Sequence, residues 1–251
     1  MNEKMFIIAE VGVNHNGSLN KAIELINIAN DAGADAVKFQ SFNPSLLSRD
    51  NLELAKYQKI NTSEETNQNQ MLEKLRLSDG DFIKLKKYSD KLGIEFMSTA
   101  FDLESLDFIT NTIGVNKLKI SSGDITNAPF LFEHALTKKD LILSSGASSM
   151  DDIHNALRIF KFASNQSNLN CDKTEFYEFL KNDDRDYSSL KNYVSILHCT
   201  SEYPAPLSDI NIGAIKDIFN QTGLTVGLSD HSNSIYPAIA SYAVGARVLE
   251  K

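Results

Sequence analysis

The segment that decides the fold is residues 6–41, FIIAEVGVNHNGSLNKAIELINIANDAGADAVKFQS. It opens on an apolar run, FIIAEVG (6–12), crosses a polar turn, and continues into LNKAIELINIANDAG (19–33). There Leu19, Ala22, Ile23, Ile26 and Ala29 recur at the helical period and share one face, and Gly33 stands as a helix C-cap. A second short apolar run, AVKFQS (36–41), follows at once. A strand, a helix and a strand in succession imply parallel strands, with the helix packed outside them.

The same unit recurs along the chain. Further strand-like runs are EFMSTAF (95–101), KLKISSG (117–123), LILSSG (141–146), VSILHCT (194–200), LTVGLSDH (224–231) and ARVLEK (246–251), which makes eight with the first two. Helical patterns lie between them at 18–32, 70–92 (with a break), 102–112, 127–137, 149–163, 210–220 and 235–244. Eight strand–helix units predict an α/β fold of the TIM (β/α)8 barrel type. A doubly wound open sheet is the runner-up, and no Gly-x-Gly-x-x-Gly follows the first strand to favour a dinucleotide fold.

Composition narrows the function classes. The chain has 251 residues, 42% hydrophobic and 23% charged, enough to bury a large core. A net charge of −8 disfavours nucleic acid and anionic membranes as partners, so any anionic ligand needs a local positive pocket. Two cysteines, Cys171 and Cys199, make no disulfide framework and fit a reducing cytoplasm. The N-terminal apolar run is too short for a signal peptide or a membrane span.

Two features break the pattern. Residues 164–192 form a polar insert between the fifth helix and the sixth strand, read as a peripheral excursion with a short helix at 173–181. Loops of that kind lie on the N-terminal face of a barrel, away from catalysis. The chain also stops on its eighth strand, so the expectation is a barrel truncated before its last helix.

Polar residues gather at the C-terminal ends of the predicted strands, where a barrel keeps its active site. Glu10, Lys38 with Gln40, Ser98-Thr99, Lys119 with Ser121, Ser144-Ser145-Gly146, His198 and Asp230-His231 all fall there. Each has a plain structural explanation. A strand lysine often sits at an edge, a serine run caps a helix, Asn-His-Asn-Gly (14–17) makes a turn, and a lone histidine is commonly a satisfied polar residue. Together they describe a site. Neighbouring strands lie about 4.8 Å apart, so His198 and His231 on adjacent strands are placed to share a metal ion. Lys38 and Lys119 supply the positive pocket, and the serine-rich start of the fifth helix adds N–H donors. The chemistry so described is a metal-assisted reaction on a small, phosphorylated anion.

Seven stretches carry a resemblance: IIAEVGVNHNGS, AGADAVKFQSF, STAFDLES, KISSGDITNAPFL, ILSSG, LHCTSEYPAP and VGLSDHS. In order and spacing they resemble the N-acetylneuraminate (sialic acid) synthase family, which includes the legionaminate and pseudaminate synthases. The resemblance implies a TIM barrel that condenses phosphoenolpyruvate with an N-acetylated hexose, N-acetylmannosamine or a 2,4-diacetamido sugar, to a nine-carbon acid and phosphate. It implies a divalent metal, Mn²⁺ first with Mg²⁺ or Co²⁺ as alternatives, on His198 and His231. It assigns Lys38, Thr99, Lys119, Ser122 and Ser144 to phosphoenolpyruvate, and Glu10, Gln40, Tyr203 and Asp230 to the sugar and metal surroundings. Glu10, Lys38, Lys119 and Asp124 are the implied catalytic set.

The departures from the family pattern are specific. Asp124 stands where the family has glutamate, a proposed acid/base group, and is one methylene shorter. Ala100 replaces a proline, Ser121 a glycine, and Ser145 and Ala147 alter a Ser-Thr-Gly-Met block. The family's Glu-Lys-His-Phe block is cut after Glu250-Lys251. The resemblance also implies a homodimer in which a C-terminal antifreeze-like domain lends an arginine to the partner's sugar site. Residues 1–251 are expected to be the barrel alone, without that domain. Two alternatives follow: a truncated barrel that binds ligand without turnover, and a metal-dependent aldolase-type barrel that does not use phosphoenolpyruvate.

Overall fold

The computed structural model describes residues 4–47, 67–164, 173–182 and 184–251. Eight parallel strands follow one another in sequence order as a closed barrel, the (β/α)8 architecture expected from the alternation. The strands are β1 (Phe6–Gly12), β2 (Ala36–Ser41), β3 (Glu95–Ala100), β4 (Lys117–Ile120), β5 (Asp140–Ser144), β6 (Val194–Cys199), β7 (Thr225–Ser229) and β8 (Val248–Glu250). The chain divides into two compact units, Ile8–Val115 and Met1–Ile7 with Asn116–Lys251.

In the unit Ile8–Val115, helix α1 (Leu19–Asp31) begins where the Ser18 side chain accepts from the Lys21 amide, and it buries Ala22, Ile26 and Ala29. A short helix α2 (Pro44–Leu47) follows β2. The break expected within 70–92 falls at Arg76, which is extended with ψ 134°. It separates α3 (Gln68–Leu75) from α4 (Asp79–Leu92). Ser78 restarts the helix, its hydroxyl accepting from the Asp81 amide and donating to the Asp81 carboxylate. Helix α5 (Leu103–Asp107) runs into a π-helical turn at Phe108–Thr112. Four rings form the core here. Phe39 stacks on Phe96 at 5.2 Å, Phe82 meets both edge-on, and Phe108 meets Phe82 edge-on.

The unit that includes Asn116–Lys251 holds β4 to β8 and helices α6 (Ala128–Leu136), α7 (Met150–Ser164), α8 (Lys173–Lys181), α9 (Gly213–Thr222) and α10 (Tyr236–Ala243). Ser149 and Asp152 cap α7 reciprocally, each accepting from the other's amide. The insert helix is present at the expected residues. Its Phe176 and Phe179 pack against Phe162 of α7 at ring distances of 5.2 and 5.1 Å. Farther along the insert, buried Tyr187 bonds His154 Nδ1 at 2.9 Å. The insert is thus fastened to the outer helix α7. In β7, a side chain on Gly227 would sit 2.2 Å from the Val248 carbonyl of β8, so only glycine lets those strands close. No described helix is long and apolar enough to cross a membrane.

Several strands stop earlier than their apolar runs suggest. β4 ends at Ile120 because Ser121 turns to cap a 3-10 helix, Ser122–Asp124, and its hydroxyl accepts from the Gly123 amide. β7 ends at Ser229; the Asp230 amide still donates to the Glu250 carbonyl, and its carboxylate accepts from the Ser232 amide as the chain turns away. Short polar side chains compete here with the strand ladder for backbone partners.

Burial also sets an acid limit on stability. His134 of α6 is fully enclosed, with Nδ1 2.8 Å from the Phe130 carbonyl, and burial pushes its pKa down to about 4. The folded chain keeps this ring neutral while the unfolded chain takes up a proton below about pH 6.5. Stability from this group is therefore present above pH 6.5 and is lost as pH falls toward 4, by about 3 kcal/mol. His134→Leu is expected to flatten that slope in urea titrations between pH 7 and 4.5. An unchanged slope would place the acid sensitivity elsewhere.

Candidate active site

The expected site residues fall in both units. In Ile8–Val115, the ladder makes Glu10 and Lys38 direct Cα partners on β1 and β2. Lys38 is only 3% exposed, and its ammonium is ion-paired with the Glu10 carboxylate. It also donates to Thr99 Oγ1 on β3 at 3.3 Å. Gln40 is the Cα partner of Thr99. The edge-lysine explanation for Lys38 therefore fails, because its amine is buried rather than in water. A cation so enclosed needs a carboxylate and hydroxyls around it, and it has both.

The other unit repeats this arrangement. Lys119 on β4 is 4% exposed and lies 3.4 Å from Glu250 Oε1 on β8. Ser229 Oγ donates to the same carboxylate oxygen at 2.8 Å. Ser229 Oγ is also 3.3 Å from His231 Nε2, which lies 3.1 Å from Tyr203 Oη. The Tyr203 and His231 rings are 4.2 Å apart, which places the loop after β6 against the loop after β7.

A cluster of hydroxyls surrounds Gly146. Its amide donates to Ser122 Oγ at 2.9 Å. A Cβ at this position would lie 2.2 Å from Ser201 Oγ and 2.8 Å from Ser122 Oγ. Ser144 is buried, and among the described residues its Oγ has no hydrogen-bond partner. Ser145 is turned elsewhere, donating to the Leu197 carbonyl. The serine run thus has two parts: Ser149 caps α7, while Ser144 keeps a buried hydroxyl two residues before the Gly146 amide, which Ser122 engages.

Asp124 accepts from Ser121 Oγ at 3.1 Å, and burial raises its pKa above the ordinary carboxylate value against that hydrogen bond. A half-buried carboxyl whose proton is held more tightly than usual suits acid/base work.

The histidines differ in their surroundings. His198 is the last residue but one of β6, opposite Leu228, and among the described residues its Nε2 is buried with no hydrogen-bond partner. Burial lowers its pKa, which favours the neutral ring that a metal ligand requires. His231 instead faces Tyr203 and Ser229. Among the described residues no three His, Cys, Asp or Glu side chains gather as a metal cluster. An ion on these imidazoles would draw its other ligands from water and substrate oxygens, which is the open arrangement of a catalytic metal. Cys199, next to His198, is a buried free thiol.

Asp230 occupies a different place from the other expected residues. Its side chain is fully enclosed, one oxygen accepting from Lys251 Nζ at 2.8 Å and the other from the Ser232 amide at 3.0 Å. Its carboxylate fastens the loop that carries His231. Glu250, Ser229 and Ser201 were not singled out in the sequence. The available signal was the polar end of the eighth strand and the period of two that puts Ser229 on the face of His231.

Residues 25–251 match the model of the NeuB family. The chain is 41% identical over 246 residues to N,N'-diacetyllegionaminic acid synthase of Legionella pneumophila, covering 98% of this chain and 63% of that protein. It is 40% identical over 249 residues to the protein of the same name from Campylobacter jejuni, covering 99% and 67%. Among solved structures, N-acetylneuraminic acid (sialic acid) synthetase from Leptospira borgpetersenii, in complex with citrate, superposes with a TM-score of 0.76 at 32% identity. That match covers 99% of this chain and 72% of the other. The chain therefore spans roughly two thirds of the length of the relatives it matches.

The hydroxyl cluster gives a direct test. Gly146→Ala forces Ser201 and Ser122 apart and removes their convergence. Losing one hydrogen bond to a charged group costs about 1.5 kcal/mol or more. Calorimetry with inorganic phosphate should show binding weakened roughly tenfold, while circular dichroism stays unchanged. Unaltered phosphate affinity would dismiss the cluster as an anion site.

Proposed function

Because the chain belongs to the NeuB family, we propose that it condenses phosphoenolpyruvate with a 2,4-diacetamido hexose, giving a nine-carbon legionaminate-type acid and phosphate. The observation that carries this reading is the pair of buried lysines, Lys38 and Lys119, in a chain of net charge −8. A protein with that charge has little reason to withdraw two ammonium groups from water unless an anion is to meet them. The comparisons support this acceptor. Identity is 41% and 40% to the two diacetyllegionaminic acid synthases and 32% to the sialic acid synthetase. N-acetylmannosamine is the second acceptor to test.

In this reading Lys38, Thr99, Lys119, Ser122 and Ser144 hold the carboxylate and phosphate of phosphoenolpyruvate. Its C3 attacks the aldehyde carbon of the open-chain sugar. Water then adds at C2, and the C2–O bond breaks to release phosphate. Asp124 moves a proton in these steps, steadied by Ser121, and Glu10 holds the Lys38 ammonium while facing the acceptor. Tyr203 and Gln40 orient the sugar. A divalent ion on His198 and His231, manganese first, supplies Lewis-acid polarisation of the aldehyde when bound. The active form is proposed to be a cytoplasmic homodimer.

The deciding assay mixes the protein, Mn²⁺, phosphoenolpyruvate and each acceptor, and follows phosphate and ulosonic acid. Both products should form, fastest with the 2,4-diacetamido sugar; their absence with every acceptor, in a chain extended to the length of its relatives, sinks the proposal. His198→Ala and His231→Ala are each expected to reduce metal-dependent turnover by more than about 100-fold, since each removes a ligand. Retention of activity by either variant removes that histidine from the ion. Asp124→Glu should raise kcat about two- to tenfold; an equal or lower kcat would mean that the site is fitted to aspartate.

A further inference from the structure

We propose that Glu250 is a positioning residue: one buried carboxylate that sets Lys119 on one side and, through Ser229, the His231 imidazole on the other. The inference rests on the reading above that Lys119 binds phosphoenolpyruvate and His231 serves the acceptor.

The backbone makes the contact. β7 and β8 pair so that Ser229 and Glu250 are Cα partners, which puts their side chains next to each other on one face. Glu250 is 2% exposed, and a carboxylate so enclosed is tolerated only with charge and hydrogen-bond partners. A single oxygen, Oε1, meets both: Lys119 Nζ at 3.4 Å and Ser229 Oγ at 2.8 Å. An ionised carboxylate can only accept, so the one hydroxyl proton of Ser229 points at Glu250. The lone pairs of Ser229 are then what His231 Nε2 sees at 3.3 Å. Glu250 therefore fixes the direction of the hydrogen bond as well as the position of its members.

Lys119, Glu250 and Ser229 lie in a region largely closed to water, where fixed charges and hydrogen bonds are stiffer than at a surface, and His231 stands half-buried at its edge. Replacing the carboxylate removes a counter-charge from a buried ammonium and releases the Ser229 proton to turn toward the imidazole. Both effects originate at one atom, so the lysine and the histidine should respond together.

The experiment uses three variants of the chain, Glu250→Gln, Glu250→Asp and Ser229→Ala. Two properties are read on folded protein: phosphoenolpyruvate affinity by calorimetry, and the ¹⁵N resonances of the His231 imidazole, assigned with His231→Gln. Glu250→Gln should weaken phosphoenolpyruvate about tenfold or more and shift the imidazole resonances, and Glu250→Asp should recover part of both. Ser229→Ala should shift the imidazole resonances as well. A carboxylate with a merely structural role would lower Tm and leave both readouts in place, and that result overturns the proposal. If Glu250→Gln does not fold, Glu250→Asp with unmoved resonances overturns it equally. If the wild-type chain binds no phosphoenolpyruvate, the synthase reading fails, and the resonances alone decide the role of Glu250.

Discussion

Two ammonium groups withdrawn from water set the terms for their surroundings. Lys38 and Lys119 are each almost wholly buried, and each is kept charged company by a carboxylate from a neighbouring part of its own unit. Such a pair does little for stability, because desolvation consumes most of the attraction. Its use lies in holding a cation at a fixed place with few competing waters. In the proposed reaction, an incoming phosphate or carboxylate would meet charge already oriented, with little reorganisation left for the moment of reaction. Hydroxyls complete the setting: Thr99 against Lys38, Ser229 against Glu250, and Ser122 with Ser201 around Gly146.

Much of the fold was legible in the sequence because its signals are local. Periods of two and of 3.6 alternate cleanly, helix breaks announce themselves with Arg-Leu-Ser before Asp79, and the insert helix carries its own apolar face. Strand ends were less legible. Ser121 and Asp230 follow directly on apolar runs in sequence, yet their side chains bind nearby amides and turn the chain away from the strand direction. Periodicity cannot register that competition, since it depends on which conformation the short polar side chain satisfies best.

The candidate site was legible in kind more than in connection. A place on strands left Lys38 and Lys119 open to an edge position in water, and the structure buries both; their carboxylate partners come from other strands, far away in sequence. Glu250 therefore read as the end of a run, whereas it joins Lys119 to Ser229. Asp230 is a second case. The resemblance assigned it to the surroundings of the sugar and metal, and in the structure its two oxygens accept from Lys251 Nζ and the Ser232 amide. A carboxylate that organises a loop and one that faces a ligand leave the same mark in sequence; only the direction of the side chain separates them.

Gly227 carries a consequence beyond the strand in which it lies. Its Cα comes so near the Val248 carbonyl that a single methyl would have to push β8 outward. Two residues further along the same ladder, Ser229 meets Glu250 at 2.8 Å. A missing side chain thus acts as a gauge block between two strands, setting the spacing at which one oxygen can serve both a lysine and a serine. Drift at position 227 would be felt first as a loss of calibration in the site, well before the barrel itself came apart.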